Sequence, residues 1–222
     1  MSKIKLISFN VCPFVQRSVI LMEEKGVDYD IEFIDVYNPP EWFLKLSPTG
    51  KVPVLQVGDD VLFESTVIIE YIEEVFGPQF HPSDALTKAK NRAWMEFTSP
   101  LYGSTFNLMM ATNKDDAIKH IDFMRFTQKN LDAAMTNKPW FNGSDFSIMD
   151  IYAAPYFVRV DFYKQHFNLD ILDGFDNLQA WSKEILARPS VQKSTVEDFD
   201  MTMMKRMVEN KSYLIEGYAK GK

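Results

Sequence analysis

The chain carries a single cysteine, Cys12, in the stretch NVCPFVQRS (residues 10–18), with proline directly after it. A strand-like run precedes it and a helix-like run follows. Proline suits the first position of a helix, because its missing N–H would have had no intrahelical partner there. A thiol at that point meets unpaired backbone N–H groups and the positive end of the helix dipole. That setting lowers cysteine pKa values below the free value of about 8.5 and makes a better nucleophile. The competing reading is a small buried hydrophobe. The strand–Cys–Pro–helix context favours the nucleophile.

Two more stretches have residue types suited to a small extended ligand. In GKVPVL (residues 50–55) Pro53 opens a strand, where its absent N–H leaves neighbouring backbone free to pair with something other than protein. In FESTVII (residues 63–69) Glu64 precedes Ser65 at the start of a helix, and a helix N-terminus is a ready carboxylate site. Plain capping competes with binding at Ser65, and an ordinary trans bond competes with a special role at Pro53.

Other chemistries find no support. Position 15, where a C-x-x-C pair needs its second thiol, is Val15. One cysteine and three scattered histidines (His81, His120, His166) have no metal-ligand spacing, so no metal is expected. Each histidine reads as a surface or capping residue. The 31 acidic and 24 basic residues give a net charge of −7, which argues against nucleic acid as a partner. No segment approaches the roughly 18 apolar residues of a membrane span, and the N-terminal MSKIKLISFN reads as strand rather than signal peptide. A lone thiol fits a reducing cytoplasm.

The elements that must position these residues alternate in the first part of the chain. KIKLISF (3–9) is strand-like, and PFVQRSVILMEEKG (13–26) is an amphipathic helix closed by Gly26. DYDIEFIDV (28–36) alternates as a half-buried strand, and PPEWFLKLSPTG (39–50) is a short helix ending in a turn. VPVLQV (52–57), the turn GDD and VLF (61–63) form a hairpin, and a helix runs from Ser65 to Gly77. The order β-α-β-α-β-β-α predicts an α/β, thioredoxin-like domain over residues 1–78. The breaker-rich GPQFHPSD (77–84) is the linker. Helical periodicity then dominates, predicting an all-α domain over residues 85–222, with a kink near Pro100. No course is assigned to the tail KSYLIEGYAKGK.

This order, with Cys12-Pro13-Phe14, Val52-Pro53 and Glu64-Ser65 followed by a helical second half, resembles the cytosolic glutathione transferases over essentially the whole chain. CPFVQR and PPEWFLKLSPTGKVPVL are most similar to the cysteine-type, Omega-like members. The resemblance implies that Cys12 is catalytic and forms a mixed disulfide with glutathione, the cosubstrate. It implies that Phe14 lines the glutathione site, that Val52 pairs its backbone with the cysteinyl unit beside a cis Pro53, and that Glu64 and Ser65 grip the γ-glutamyl end. Omega-like members often carry a lysine just before PEW. Pro40 stands there instead, and Lys51 is assigned to the glycyl carboxylate.

A second-substrate pocket is expected at Tyr102, which shares a helical spacing with Phe106 and Met109, and at Trp181. Ser147 and Asp150, in SIMDIYAA (147–154), form a capping-box arrangement and are taken as structural. The implied activity is thiol transfer and reduction of mixed disulfides, dehydroascorbate or glutathionyl adducts, with weaker conjugation to small electrophiles. The implied assembly is a homodimer. CPFVQR…EEKGV also resembles the chloride intracellular channel proteins, which share the fold, as do regulatory relatives. A non-enzymatic, glutathione-transferase-fold protein is therefore the alternative.

Overall fold

The computed structural model describes residues 3–135 and 139–218. Its elements begin β1 (Ile4–Ser8), α1 (Pro13–Lys25), β2 (Asp30–Phe33), α2 (Glu41–Leu46), β3 (Val54–Val57), β4 (Asp60–Phe63) and α3 (Ser65–Val75). They continue with α4 (Ala85–Thr98), α5 (Pro100–Met110), α6 (Lys114–Ala134), α7 (Ile148–Phe167), α8 (Asp176–Leu186), α9 (Pro189–Lys193), α10 (Phe199–Glu209) and α11 (Tyr213–Tyr218).

The chain divides into two units. The first comprises Met1–His81 and Pro189–Val196, the second Pro82–Arg188 and Glu197–Lys222. The sequence alone put a linker at residues 77–84 and assigned everything after it to the helical half. Instead, residues 189–196 join the first unit.

In the first unit the four strands are ordered β2-β1-β3-β4, with β1 and β2 parallel and the other pairs antiparallel. Alternation along β1 sends Ile7 to one face and Leu6 to the other. Ile7, Ile34, Val54 and Phe43 of α2 form one buried cluster, with Val36, Leu46, Val52 and Val61 packed around it. Leu6 and its β3 partner Leu55 are buried on the opposite face. Here α1 and α3 pack on each other through sides that include the fully buried Ile20, Leu21, Ile68, Ile69 and Ile72. Gly26 ends α1 at φ 61°, the left-handed position that glycine occupies without steric cost.

The stretch after α3 is tied down rather than loose. Lys25 Nζ meets the Glu73 carboxylate at 2.7 Å and donates to the carbonyls of Phe76 and Pro78 at 2.5 Å each. Glu73 accepts the N–H groups of Phe80 (2.5 Å) and His81 (2.7 Å). His81, expected as a surface or capping residue, is buried and holds Glu70 at 3.0 Å through Nε2. A buried charge needs this many partners to offset its lost hydration.

The second unit centres on α7, which is buried on nearly every side and packs against α4, α5 and α8. Pro100 starts a new helix, so the expected kink is a break between α4 and α5. Among the described residues this unit has no strand, only an isolated bridge between Trp140 and Gly143. Part of the tail forms α11, and residues 219–222 lie outside the described residues. No described helix is long and apolar enough to cross a membrane.

Candidate functional site

Strand register brings the first-unit candidates to one end of the sheet. Cys12 follows the C-terminal end of β1. Because Ile7 pairs with Val54 in the antiparallel β1–β3 ladder, Val52 and Pro53 lie at that same end. Val54 in turn pairs with Phe63, so β4 delivers Glu64 and Ser65 there as well. Three loops distant in sequence therefore converge at the end of the sheet from which Cys12 emerges.

Cys12 is the N-cap of α1, with extended backbone (φ −75°, ψ 118°), Pro13 directly after it and a partly exposed side chain. Its N–H donates to the Phe9 carbonyl at 3.0 Å, and its carbonyl accepts the Gln16 N–H at 3.0 Å, closing the first turn. The Val52–Pro53 peptide is cis. The β3 ladder starts only at Val54, so Val52 lies outside the paired strand. Lys51 is exposed, and its carbonyl accepts the Ser47 hydroxyl at 3.1 Å.

At the start of α3, Glu64 is an exposed N-cap with φ 66° and ψ 111°, and its side chain makes no capping hydrogen bond. Positive φ is uncommon outside glycine and costs on the order of 1–3 kcal/mol, so it persists where the surroundings impose it. Ser65 is buried beneath it.

Sequence reasoning missed Arg17. Its guanidinium is buried, donates through Nη2 to Ser65 Oγ and to Thr66 Oγ1 (3.2 Å), and lies 5.3 Å from the Phe14 ring. Arginine can only donate, so Ser65 accepts from it and keeps its own hydroxyl hydrogen for an acceptor. A buried cation, the N–H groups of α3 and a hydroxyl hydrogen together form a receptor for a carboxylate. The available signal was spacing: Arg17 lies three residues after Phe14, one helical turn on.

The two residues expected to line a second-substrate pocket belong to the second unit, where both side chains are buried. Tyr102 is buried, and its hydroxyl donates to the Tyr152 carbonyl. Trp181 is fully buried, with Nε1 donating to Asp150 Oδ1 at 2.6 Å and its ring against Phe141 and Phe157 at 5.5 and 5.0 Å. Both are core residues with their polar atoms satisfied. Met109 is buried as well, while Phe106 is exposed. Helical spacing alone cannot separate a core stripe from a pocket wall.

Asp150 does occupy the capping position expected of it. It accepts the N–H and hydroxyl of Ser147 (2.7 Å each) and the Phe141 N–H (2.9 Å), besides Trp181. Burial nonetheless pushes its carboxyl above the ordinary carboxylate range, against the pull of those donors. Among the described residues no group of three acidic, histidine or cysteine side chains could hold a metal ion.

Residues 11–75 match the family model for the glutathione S-transferase N-terminal domain, and residues 129–184 match that for the C-terminal domain. The chain is 27% identical over 202 residues to glutathione S-transferase omega-1 of Sus scrofa, covering 89% of this chain and 83% of that one. It is 30% identical over 187 residues to a probable cytosolic glutathione S-transferase DHAR1 of Oryza sativa subsp. japonica, covering 82% of this chain and 83% of that one. In fold it is similar to glutathione transferase Omega 3C from Trametes versicolor, with a TM-score of 0.80 at 24% identity over 95% of this chain and 92% of that one.

Proposed function

Because the chain belongs to the glutathione S-transferase family, we propose that it is a glutathione-dependent thiol transferase and reductase whose nucleophile is Cys12. The observation that carries this reading is the convergence of a partly exposed thiol at the start of α1 with Val52, cis Pro53 and the Ser65–Arg17 carboxylate receptor. Glutathione matches that layout. Its γ-glutamyl carboxylate takes the Ser65 hydroxyl and the N–H groups at the start of α3, and its cysteinyl backbone pairs with Val52. Its glycyl carboxylate reaches toward Lys51, and Phe14 lines the site.

The Cys12 thiolate attacks the glutathione sulfur of a mixed disulfide, R–S–SG. The bond between the two sulfurs breaks, R–S⁻ leaves and takes a proton, and Cys12–S–SG forms. A second glutathione thiolate attacks that adduct, releasing oxidised glutathione and restoring the Cys12 thiolate. Conjugation of glutathione to small electrophiles is a weaker side activity. The protein works as a homodimer in the cytosol, a reducing compartment in which an unpaired thiol persists.

Replacement of the thiol tests the reading. Cys12→Ser abolishes thiol transfer but keeps conjugation to an electrophilic aromatic, since a hydroxyl can stabilise glutathione's own thiolate yet cannot form the disulfide. Cys12→Ala loses thiol transfer and most of the conjugation. Intact mass after incubation with oxidised glutathione shows one glutathionyl adduct on the wild type and none on either variant. Wild-type thiol transfer by Cys12→Ser would remove the cysteine from the mechanism.

A further inference from the structure

Eight residues from late in the chain, Pro189–Val196, complete the unit that holds Cys12. They lie outside both regions matched by the family models. They carry α9, which packs along α1. Val191 and Ser190 are buried.

Four side-chain contacts fasten the segment to α1. At the far end of the helix, the Ser190 hydroxyl donates to the Glu24 carboxylate, and Lys193 Nζ lies 3.7 Å from Glu23. At the Cys12 end, the buried Gln16 amide donates through Nε2 to Ser194 Oγ (3.1 Å) and Thr195 Oγ1 (3.3 Å). The two hydroxyls pass their own hydrogens to the Val191 carbonyl, at 2.6 and 3.4 Å. The donors and acceptors therefore run in one consistent direction, from Gln16 through two hydroxyls to the backbone of α9.

Gln16 is the residue whose N–H closes the first turn on the Cys12 carbonyl. That turn is the weakest part of the helix, because its leading N–H groups have no intrahelical acceptor and helix ends fray. Nucleophilic attack requires the sulfur to be held near its line of approach, and a displacement of about 1 Å can cost as much as a hundredfold in rate.

We propose that Gln16 is a positioning residue for Cys12, and that Pro189–Val196 is a strap that holds the first turn of α1 in its reactive pose. This rests on Cys12 being the nucleophile. The strap acts on the rate of attack and leaves the Ser65–Arg17 receptor untouched.

The test compares Gln16→Ala, the pair Ser194→Ala/Thr195→Ala, and the pair Ser194→Thr/Thr195→Ser, which keeps both hydroxyls. Thiol transfer is measured with a glutathionylated peptide and glutathione, and Cys12 alkylation by iodoacetamide is followed at fixed pH. In the two alanine variants kcat falls about fivefold to tenfold and the alkylation rate changes, while KM for glutathione stays within about twofold. The hydroxyl-keeping pair returns to wild-type kcat. Unchanged kcat and alkylation in a folded alanine variant, even with a lowered Tm, would reduce the strap to a structural contact and overturn the proposal. Should Gln16→Ala fail to fold, the Ser194→Ala/Thr195→Ala pair decides alone. A wild type without any thiol transfer would instead count against the proposed function, and the alkylation rates would still report on the strap.

Discussion

The helices α3 and α7 begin in opposite ways. At α7, Asp150 closes the end from inside: it accepts from the Ser147 N–H and hydroxyl, and its remaining capacity goes to Phe141 and Trp181. At α3 the N-cap Glu64 adopts positive φ and contributes no side-chain cap. The buried Arg17 supports Ser65 from beneath without consuming its hydroxyl hydrogen. One end is saturated by protein. The other is held open at a conformational cost and backed by a cation. A helix start that satisfies itself is architecture, and one left open at a cost is a place for a ligand.

The largest test of that contrast is Asp150→Ala. It strands four donors in the core of the second unit, and each unsatisfied buried group costs about 1–3 kcal/mol. Relief of the buried charge returns part of this, leaving a net loss of about 3–5 kcal/mol and a Tm lower by roughly 10 °C. Calorimetry checks it, with glutathione affinity of the folded protein unchanged. The pH dependence has a definite sign. Burial raises the native carboxyl above its unfolded value of 3.8, so the native state takes up this proton first. Wild-type stability contributed by Asp150 therefore grows as pH falls through the native value toward 3.8, and the gap to Asp150→Ala widens on acidification. A gap that narrowed instead would mean that the carboxylate is stabilised, not strained, by its site.

Ser65→Ala ranks next and should behave in the reverse manner. A hydrogen bond to a charged carboxylate is worth about 1.5–3 kcal/mol, so glutathione affinity falls roughly tenfold to a hundredfold by calorimetric titration. Stability falls by only about 1 kcal/mol, since Glu64 rather than Ser65 occupies the N-cap and Arg17 Nη2 keeps Thr66 Oγ1 as an acceptor when the Ser65 hydroxyl is lost. Unchanged affinity would make Ser65 a purely structural acceptor for Arg17 and erase the difference between the two helix starts.

The sequence made the first unit legible because each of its elements carries its own punctuation. Pro13 and Gly26 bracket α1, the GDD turn joins β3 to β4, and alternation marks the strands. Cys12, Pro53 and Ser65 sit at element boundaries, where residue type reports on backbone geometry. Arg17 was hidden because an arginine on an amphipathic helix ordinarily faces water, and only the meeting of α1 with α3 buries it. The burial of Tyr102 and Trp181 was not legible, because it comes from α7, their neighbour, which is buried on almost all sides. An aromatic beside such a helix finds core where a simpler bundle would offer a cleft. The α9 segment was misassigned because eight residues give no periodicity that names their partner.

Glu64→Gly gives the smallest effect and the sharpest one. Glu64 is exposed, so removing its side chain forfeits no packing. Its φ of 66° with ψ 111° is strained for any residue with a Cβ and open to glycine. Relief of about 1–3 kcal/mol is partly offset by the greater freedom of glycine in the unfolded chain, about 0.5–1 kcal/mol. The net gain of about 1 kcal/mol should raise Tm by roughly 2–4 °C for a chain of this size. On the proposed reading, in which Glu64 grips the γ-glutamyl end, glutathione affinity should fall at the same time, because that carboxylate is lost and the entry to α3 is no longer fixed. Glu64→Ala separates the two effects: it removes the carboxylate but keeps the Cβ, so affinity drops while Tm stays near wild type. If Glu64→Gly left Tm unchanged or lowered it, the α3 start would carry no strain. Its openness would then reflect the absence of a cap alone, and the contrast with α7 would rest only on how Asp150 and Ser65 spend their hydrogen bonds.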